Sequence, residues 1–201
     1  MPLSDLAALI KSRRSIRQYQ SRPVDRAAIE QILELAHWSP SAHNRQPWRF
    51  VVVESKETQE HLAQAMGSRL RRDLTADGVG EAVIEKDVSR SYARITGAVV
   101  LICLCMTMAD MDTYPDSRRS LNEYLMAVQS TAMAGQNLLL GAHAAGLGAC
   151  WMCAPLFCPD VVREALNLPE DWQPQALITL GYPAEERERD RKRVEELTLW
   201  R

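Results

Sequence analysis

The sequence predicts an α+β fold in a single domain spanning residues 1–201. Three observations carry that expectation. The stretch 120–145 contains no proline and is dominated by Leu, Met and Ala, as a long helix requires. Short runs rich in β-branched or apolar residues, Arg49–Glu54, Gly97–Met106 and Pro174–Gly181, read as strands. No internal repeat, low-complexity tract or linker divides the chain.

The elements follow in order. Ser4 is placed to cap a first helix, in which Leu6, Leu9 and Ile10 recur at helical spacing before the basic cluster Lys11, Arg13 and Arg14. Pro23 and Asp25 open a second helix with Ile29, Ile32, Leu33 and Ala36 on one face, and Pro40 stops it. A polar loop, Ser39–Pro47, leads into the first strand. Lys56–Met66 reads as helix, whereas Gly67–Arg94 is charged, weakly periodic and interrupted by Gly78 and Gly80, so residues 67–94 are expected to form an insertion or lid. The unbroken apolar run Gly97–Met106 suits a central strand covered on both faces. Gly146 stands where the long helix needs a C-terminal glycine. Gly146–Cys158 is expected to be a loop with a strand-like centre, Pro159–Leu166 a short helix and Pro174–Gly181 the last strand.

Composition narrows the functional classes. The chain has 24 Lys and Arg against 26 Asp and Glu, a net charge of −2 and 46% hydrophobic residues. Disorder needs low hydrophobicity with high net charge, and nucleic-acid binding through bulk electrostatics needs a basic excess; neither holds. A domain of this length buries roughly 70% of the surface its unfolded chain exposes, so disulfides are not needed for stability. The five cysteines, Cys103, Cys105, Cys150, Cys153 and Cys158, are odd in number and lie among apolar or small residues, which suits a reducing cytoplasm. The N-terminus lacks a basic segment followed by an apolar one, so no secretory signal is expected. The longest apolar run is about half of the ~20 residues that cross a bilayer, so no membrane association is expected.

Three constellations could carry chemistry. In Ser12-Arg13-Arg14-Ser15-Ile16-Arg17, three guanidiniums and two hydroxyls fall at a helix end, where they could grip a phosphate or a pyrimidine edge bidentately. Cations at a helix C-terminus also complement its dipole without any ligand. Between two prolines, Ser41, Asn44 and Gln46 offer donors and acceptors suited to a heterocycle of alternating carbonyl and N–H groups, although turn residues of an ordinary connection look the same. Gly146-Leu147-Gly148 ahead of Trp151 and Met152 permits close backbone approach, yet it is no dinucleotide fingerprint, and a helix cap explains its first glycine. Cys103-x-Cys105 with Cys150-x-x-Cys153 could supply four thiolates to zinc, but the apolar setting of the first pair favours buried filler, and no metal is expected. His37, His43, His61 and His143 show no paired metal spacing, and no Ser-centred hydrolase elbow occurs.

Taken together, these residues resemble the nitroreductase family of flavin enzymes. The matching pieces are RRSIR at Arg13–Arg17, SPSAHNRQPWRFVVV at Ser39–Val53, QNLLLGAHAAGLGACWM at Gln136–Met152 and LGYPAE at Leu180–Glu185, in the family's order. The resemblance implies a nitroreductase-like α+β fold: a four- to five-stranded sheet, mixed and mostly antiparallel, flanked by helices, in a homodimer whose C-terminal extension wraps the partner. It implies FMN at the dimer interface. Arg13, Arg14, Ser15 and Arg17 would contact the FMN phosphate, ribityl chain and pyrimidine ring. Ser41, Asn44 and Gln46 would meet the isoalloxazine or the substrate side of it, and Trp151 and Met152 would lie along the flavin. In the tail, Arg189 and Arg191 take the positions of the family's Lys-x-Arg phosphate pair.

The implied activity is an NAD(P)H oxidoreductase in which FMN carries the hydride, with no catalytic side chain of the protein's own. Nitroaromatics or quinones would be acceptors in a ping-pong cycle. Tyr114–Arg119, Gln129-Ser130 and Pro159–Pro174 also resemble the flavin domain at the C-terminus of some γ-glutamyl ligases that make the deazaflavin coenzyme. A stand-alone FMN domain reducing a dehydro-deazaflavin precursor is therefore an alternative, and a flavin- or thiolate-metal-binding protein without turnover is another.

Overall fold

Sheet and helices share their residues in a simple alternation, seen most clearly in the central strand. The structure is a computed structural model and describes residues 2–201. Its helices are α1 (Leu3–Ser12), α2 (Arg26–His37), α3 (Lys56–Ala76), α4 (Glu81–Thr96), α5 (Ser117–Ala144) and α6 (Pro159–Ala165). Its strands are β1 (Trp48–Val53), β2 (Val100–Met106), β3 (Gly148–Met152) and β4 (Gln173–Gly181). The strands form one sheet in the order β1-β2-β4-β3. β2 is buried at every residue because both faces are covered: Val100, Ile102 and Leu104 turn to the layer of α2 and α5, and Leu101, Cys103 and Cys105 to that of α3 and α6. Cys103 and Cys105 thus share a face, with their sulfurs 3.6 Å apart in the core. The neighbouring Cys105 thiol and burial push the Cys103 thiol well above its ordinary range.

The sheet is wholly antiparallel, not mixed. The reason lies in the connections. α3 and α4 form a helical hairpin that returns the chain to the end of the sheet it left, so β2 must run against β1. The single helix α5 does carry β2 into a strand of the same direction, β3, but β4 lies between the two and opposes both. Outside the strands one parallel bridge occurs, Ser15 to Ala149. Pro174 is tolerated next to a central strand because the register shifts there: Leu104 faces Ala176 while Cys105 faces Pro174.

Three further local outcomes refine the expectations. The first helix starts one residue before Ser4, with Pro2 at its N-cap, and the Ser4 hydroxyl bonds to Asp5 instead. Residues 67–94 are almost entirely helical, breaking only in the turn between α3 and α4, where Gly78 takes φ +73°. Gly67 does not interrupt α3: it is buried, and a Cβ there would lie 3.3 Å from Val88. The periodicity of that segment is weak because much of it faces solvent, where Arg71 pairs with Glu81 and Glu85. At the end of α5, Gly146 has φ +74°, and the amides of Leu147 and Gly146 bond back to Ala142 and His143 at 2.8 and 3.0 Å. This paired capping turn redirects the chain into β3.

Candidate functional site

The segment that leaves α1 runs beside β3 and gathers the first group of candidate residues. The Ile16 amide donates to the Ala149 carbonyl at 3.1 Å. This closeness requires glycine at 148, where a Cβ would fall 2.8 Å from the Cβ of Ile16. The chain beyond β4 is tied to the same segment: Ala184 donates to Gln18, Gln20 donates to Tyr182, and the Arg17 amide donates to the Glu185 carboxylate at 2.6 Å. The tail arginines are thereby brought onto the N-terminal ones. Arg13, Arg14, Ser15, Arg17, Arg187, Arg189 and Arg191 line a cleft of about 130 Å³ that contains no acidic side chain.

Two donors in this cleft are conspicuous. The Nε atoms of Arg14 and Arg187 are buried without a hydrogen-bond partner. A buried donor left unpaired is unfavourable unless something accepts from it. Arg187 also binds the Glu185 carboxylate at 2.8 Å, and that contact holds Glu185 below the usual carboxylate range.

A second cleft, of about 390 Å³, adjoins the first through Arg17. Arg17, Arg90, Arg94, Cys150, Trp151, Met152 and Cys153 border it, and Leu70 and Leu74 reach it from α3. Burial lowers the pKa of Arg94, and the neighbouring charges of Arg17 and Arg90 add to the effect. Burial likewise pushes the Cys150 thiol up, against the pull of Arg17, Arg94 and Arg187. Trp151 turns its indole toward α5, so that a Cβ on Gly135 would come within 2.2 Å of the ring, and its Nε1 donates to Cys153 at 3.1 Å.

Ser41, Asn44 and Gln46 form a separate group. His43, Asn44 and Gln46 all adopt positive φ, at 49°, 55° and 52°. Left-handed backbone costs a residue other than glycine about 1–2 kcal/mol, and Asn tolerates it best. Cross-links hold the turn: the Gln46 amide donates to Ser41 Oγ at 3.0 Å, Gln46 Nε2 to Asn44 Oδ1 at 3.2 Å, and the Ala42 amide to Ser130 Oγ at 3.2 Å. Such strain gathers where a site is pre-organised. The arginine group is moored to the same helix elsewhere, through Ser12 Oγ and His143 Nε2 at 2.7 Å. Ser130 and His143 are separated by thirteen positions, which along a helix is about 20 Å. Within one chain the candidate residues therefore fall into two places: the arginine and β3 group, and the Ser41–Gln46 turn.

Arg94, which borders the second cleft, is not singled out by the sequence; its signal is its helical spacing of four from Arg90. The tail cluster Arg187–Arg193 reads as converging with Arg13–Arg17 on one phosphate without a fixed register; in the structure Arg187, Arg189 and Arg191 line the cleft, while Arg193 pairs with Glu195.

The model of the Nitroreductase family matches residues 10–182, most of the chain, from the end of α1 through β4, and stops short of the tail arginines. The chain belongs to the nitroreductase family. Among its nitroreductase relatives is a Methanothermobacter thermautotrophicus protein assigned as an NADH dehydrogenase/NAD(P)H nitroreductase, 32% identical over 90% of this chain and 78% of its own. An NADH dehydrogenase of Thermus thermophilus is 32% identical over 100% of this chain and 98% of its own. A protein of Desulfovibrio desulfuricans assigned as a nitroreductase, and solved in complex with FMN, superposes with a TM-score of 0.75 at 27% identity, covering 98% of this chain and 96% of that one. A BluB-like flavoprotein of Clostridium difficile shares the nitroreductase fold, with a TM-score of 0.80 at 22% identity and coverage of 100% and 99%. The chain is thus an oxidoreductase of nitroreductase type. Among the described residues no helix is long and apolar enough to cross a membrane.

Proposed function

We propose that this nitroreductase-family chain works as a homodimeric, FMN-dependent NAD(P)H oxidoreductase. One observation carries the reading: the acid-free arginine cleft, with the buried and unpartnered Nε atoms of Arg14 and Arg187. Two buried guanidinium donors without acceptors, in a cleft lined by further arginines, suit the acceptor oxygens of a phosphate monoester, so the residues present fit the phosphate of FMN. When bound, FMN supplies reversible two-electron chemistry, which removes the need for a protein nucleophile or a paired acid and base.

The chain's own residues bind and orient. Arg13, Arg14, Ser15, Arg187, Arg189 and Arg191 hold the phosphate. Arg17 and Arg94, at the mouth of the adjoining cleft, supply positive potential for charge that develops at the pyrimidine edge. Trp151 and Met152 border the ring system. The ring-facing turn, with Ser41, Asn44 and Gln46, is assigned to a second copy, because within one chain it is moored to α5 at Ser130, about 20 Å along the helix from the point where the arginine segment is moored at His143. Exposed apolar residues support that pairing: Leu121 and Leu125 on α5, Trp38 at 77% exposure, and Leu199 and Trp200 at 83% and 92% in the tail, which would wrap the partner. Donor and acceptor occupy the same place in turn, giving ping-pong kinetics with nitroaromatic or quinone acceptors. The helices of residues 67–94 act as the lid of that place.

The test is direct. The purified protein should be yellow, retain FMN, elute as a dimer and oxidise NAD(P)H with a quinone in parallel-line kinetics. Protein that stays colourless after incubation with FMN sinks the reading, and stoichiometric zinc by elemental analysis would replace it with the thiolate alternative.

A further inference from the structure

The turn that carries Asn44 and Gln46 is clamped from outside by a segment distant from it in sequence. The chain after β2, residues 107–116, folds over it. Arg45 forms an ion pair with Asp112, Arg49 reaches Asp110 at 2.9 Å, and the Thr107 amide donates to the Pro47 carbonyl at 2.9 Å. Arg45 is the residue at the centre of the strained turn, flanked by two left-handed neighbours, Asn44 and Gln46. Whatever fixes Asp112 therefore adds to the cross-links that hold the turn.

What fixes Asp112 is a buried acid. Glu123, on the second turn of α5, is 1% exposed. Its Oε1 accepts the Asp112 amide at 3.1 Å, and its Oε2 is buried with no partner. Among the described residues no cation lies within ion-pair range of it, and the apolar cluster of Met106, Met111 and Ala127 lies in the same part of the fold. A leucine or methionine there would pack without the penalty of a half-satisfied buried carboxyl. Folding alone gives no reason for an acid at 123, whereas holding the Asp112 backbone does.

We propose that Glu123 is a positioning residue: it sets Asp112, and through the Asp112–Arg45 pair it keeps Asn44 and Gln46 in the geometry that meets the flavin and its acceptor. The second half of this statement rests on the function proposed above. The first half does not, and the experiment separates them.

Hydrogen exchange is measured on the full-length protein stripped of flavin, comparing wild type with Glu123→Gln and Glu123→Leu. Losing a hydrogen bond to a buried acid should speed exchange of the Asp112 and Gln46 amides by about tenfold in Glu123→Leu. Glu123→Gln, which keeps an acceptor oxygen, should stay near wild type, and amides in the C-terminal half of α5 should not change. In the FMN-loaded dimer, Glu123→Leu should raise KM severalfold for a quinone and for NAD(P)H, which share one place, while Glu123→Gln keeps both near wild type. Should Glu123→Leu fail to fold, the charge swap takes its place: Arg45→Asp and Asp112→Arg should each loosen the turn, and the double variant should restore it.

Unchanged exchange across residues 42–46, or faster exchange throughout α5, would overturn the relay. A loosened turn with the quinone KM unchanged would overturn its link to the site. Wild-type protein that never retains FMN refutes the earlier reading instead, and the exchange comparison still decides the relay.

Discussion

Replacing Arg187 by methionine probes the arginine cleft at its most informative point. Methionine keeps much of the apolar stem and removes the guanidinium, including the buried Nε that has no protein partner. If that nitrogen donates to a phosphate, the loss is one charge-assisted hydrogen bond, worth about 1.5–3 kcal/mol, or about 10- to 150-fold in Kd. The same change strands the Glu185 carboxylate, which Arg187 binds at 2.8 Å, beside the remaining arginines. A carboxylate there competes with an anionic ligand, so the double variant Arg187→Met/Glu185→Gln should recover part of the loss. The assay is titration of the apoprotein by quenching of flavin fluorescence, with FMN and riboflavin in parallel. FMN should weaken by the stated factor and riboflavin should not. Equal weakening of both ligands, or no weakening of either, would refute the assignment of this cleft to a phosphate.

Other outcomes follow from the same geometry. Gly148→Ala should lower stability by about 1–3 kcal/mol, because the new methyl meets the Cβ of Ile16 at 2.8 Å and no trimming of Ile16 short of glycine relieves it. For a chain of this size that is a fall in Tm of several degrees in a thermal melt. His143 has its pKa lowered by burial and then by Arg13 and Arg14, so the folded state binds its proton less readily than the unfolded chain. Stability should therefore fall as pH drops below about 6.5, and His143→Gln should flatten that slope in urea titrations between pH 7 and 5. Of the five cysteines, Cys153 alone is exposed. A thiol reagent should modify one equivalent quickly in the native protein and the others only on unfolding, and Cys153→Ser should abolish the fast phase.

The parts of this molecule that sequence reading located are those whose signal is local. The run Val100–Met106 is apolar on both sides because it is covered on both sides, and Gly146 is glycine because its φ is +74°. Relations across the chain were harder. The antiparallel order of the sheet depends on two helices standing between β1 and β2, and the charges of α3 and α4, paired with each other across the hairpin, masked that helicity. Arg17 and Asn44 are near in sequence yet moored to opposite reaches of α5, whereas Arg14 and Arg187 are remote in sequence and line one cleft. Motif order reports which residues matter to a family without reporting which of them meet in one chain. Glu123 left no motif at all, since a buried acid on a helix looks like a surface acid until its surroundings are known.

Mooring both half-sites to one helix has a consequence for how this protein can vary. Ser130 and His143 are thirteen steps apart at about 100° each, so they leave the helix roughly 140° out of phase, pointing to different flanks. The turn and the cleft are thus locked in angle as well as in distance. Inserting or deleting one residue between them would rotate one flank by about 100° against the other and leave both half-sites locally intact but unable to face their counterparts across a dimer. Length changes should be silent in the α3–α4 turn and ruinous in this thirteen-residue span.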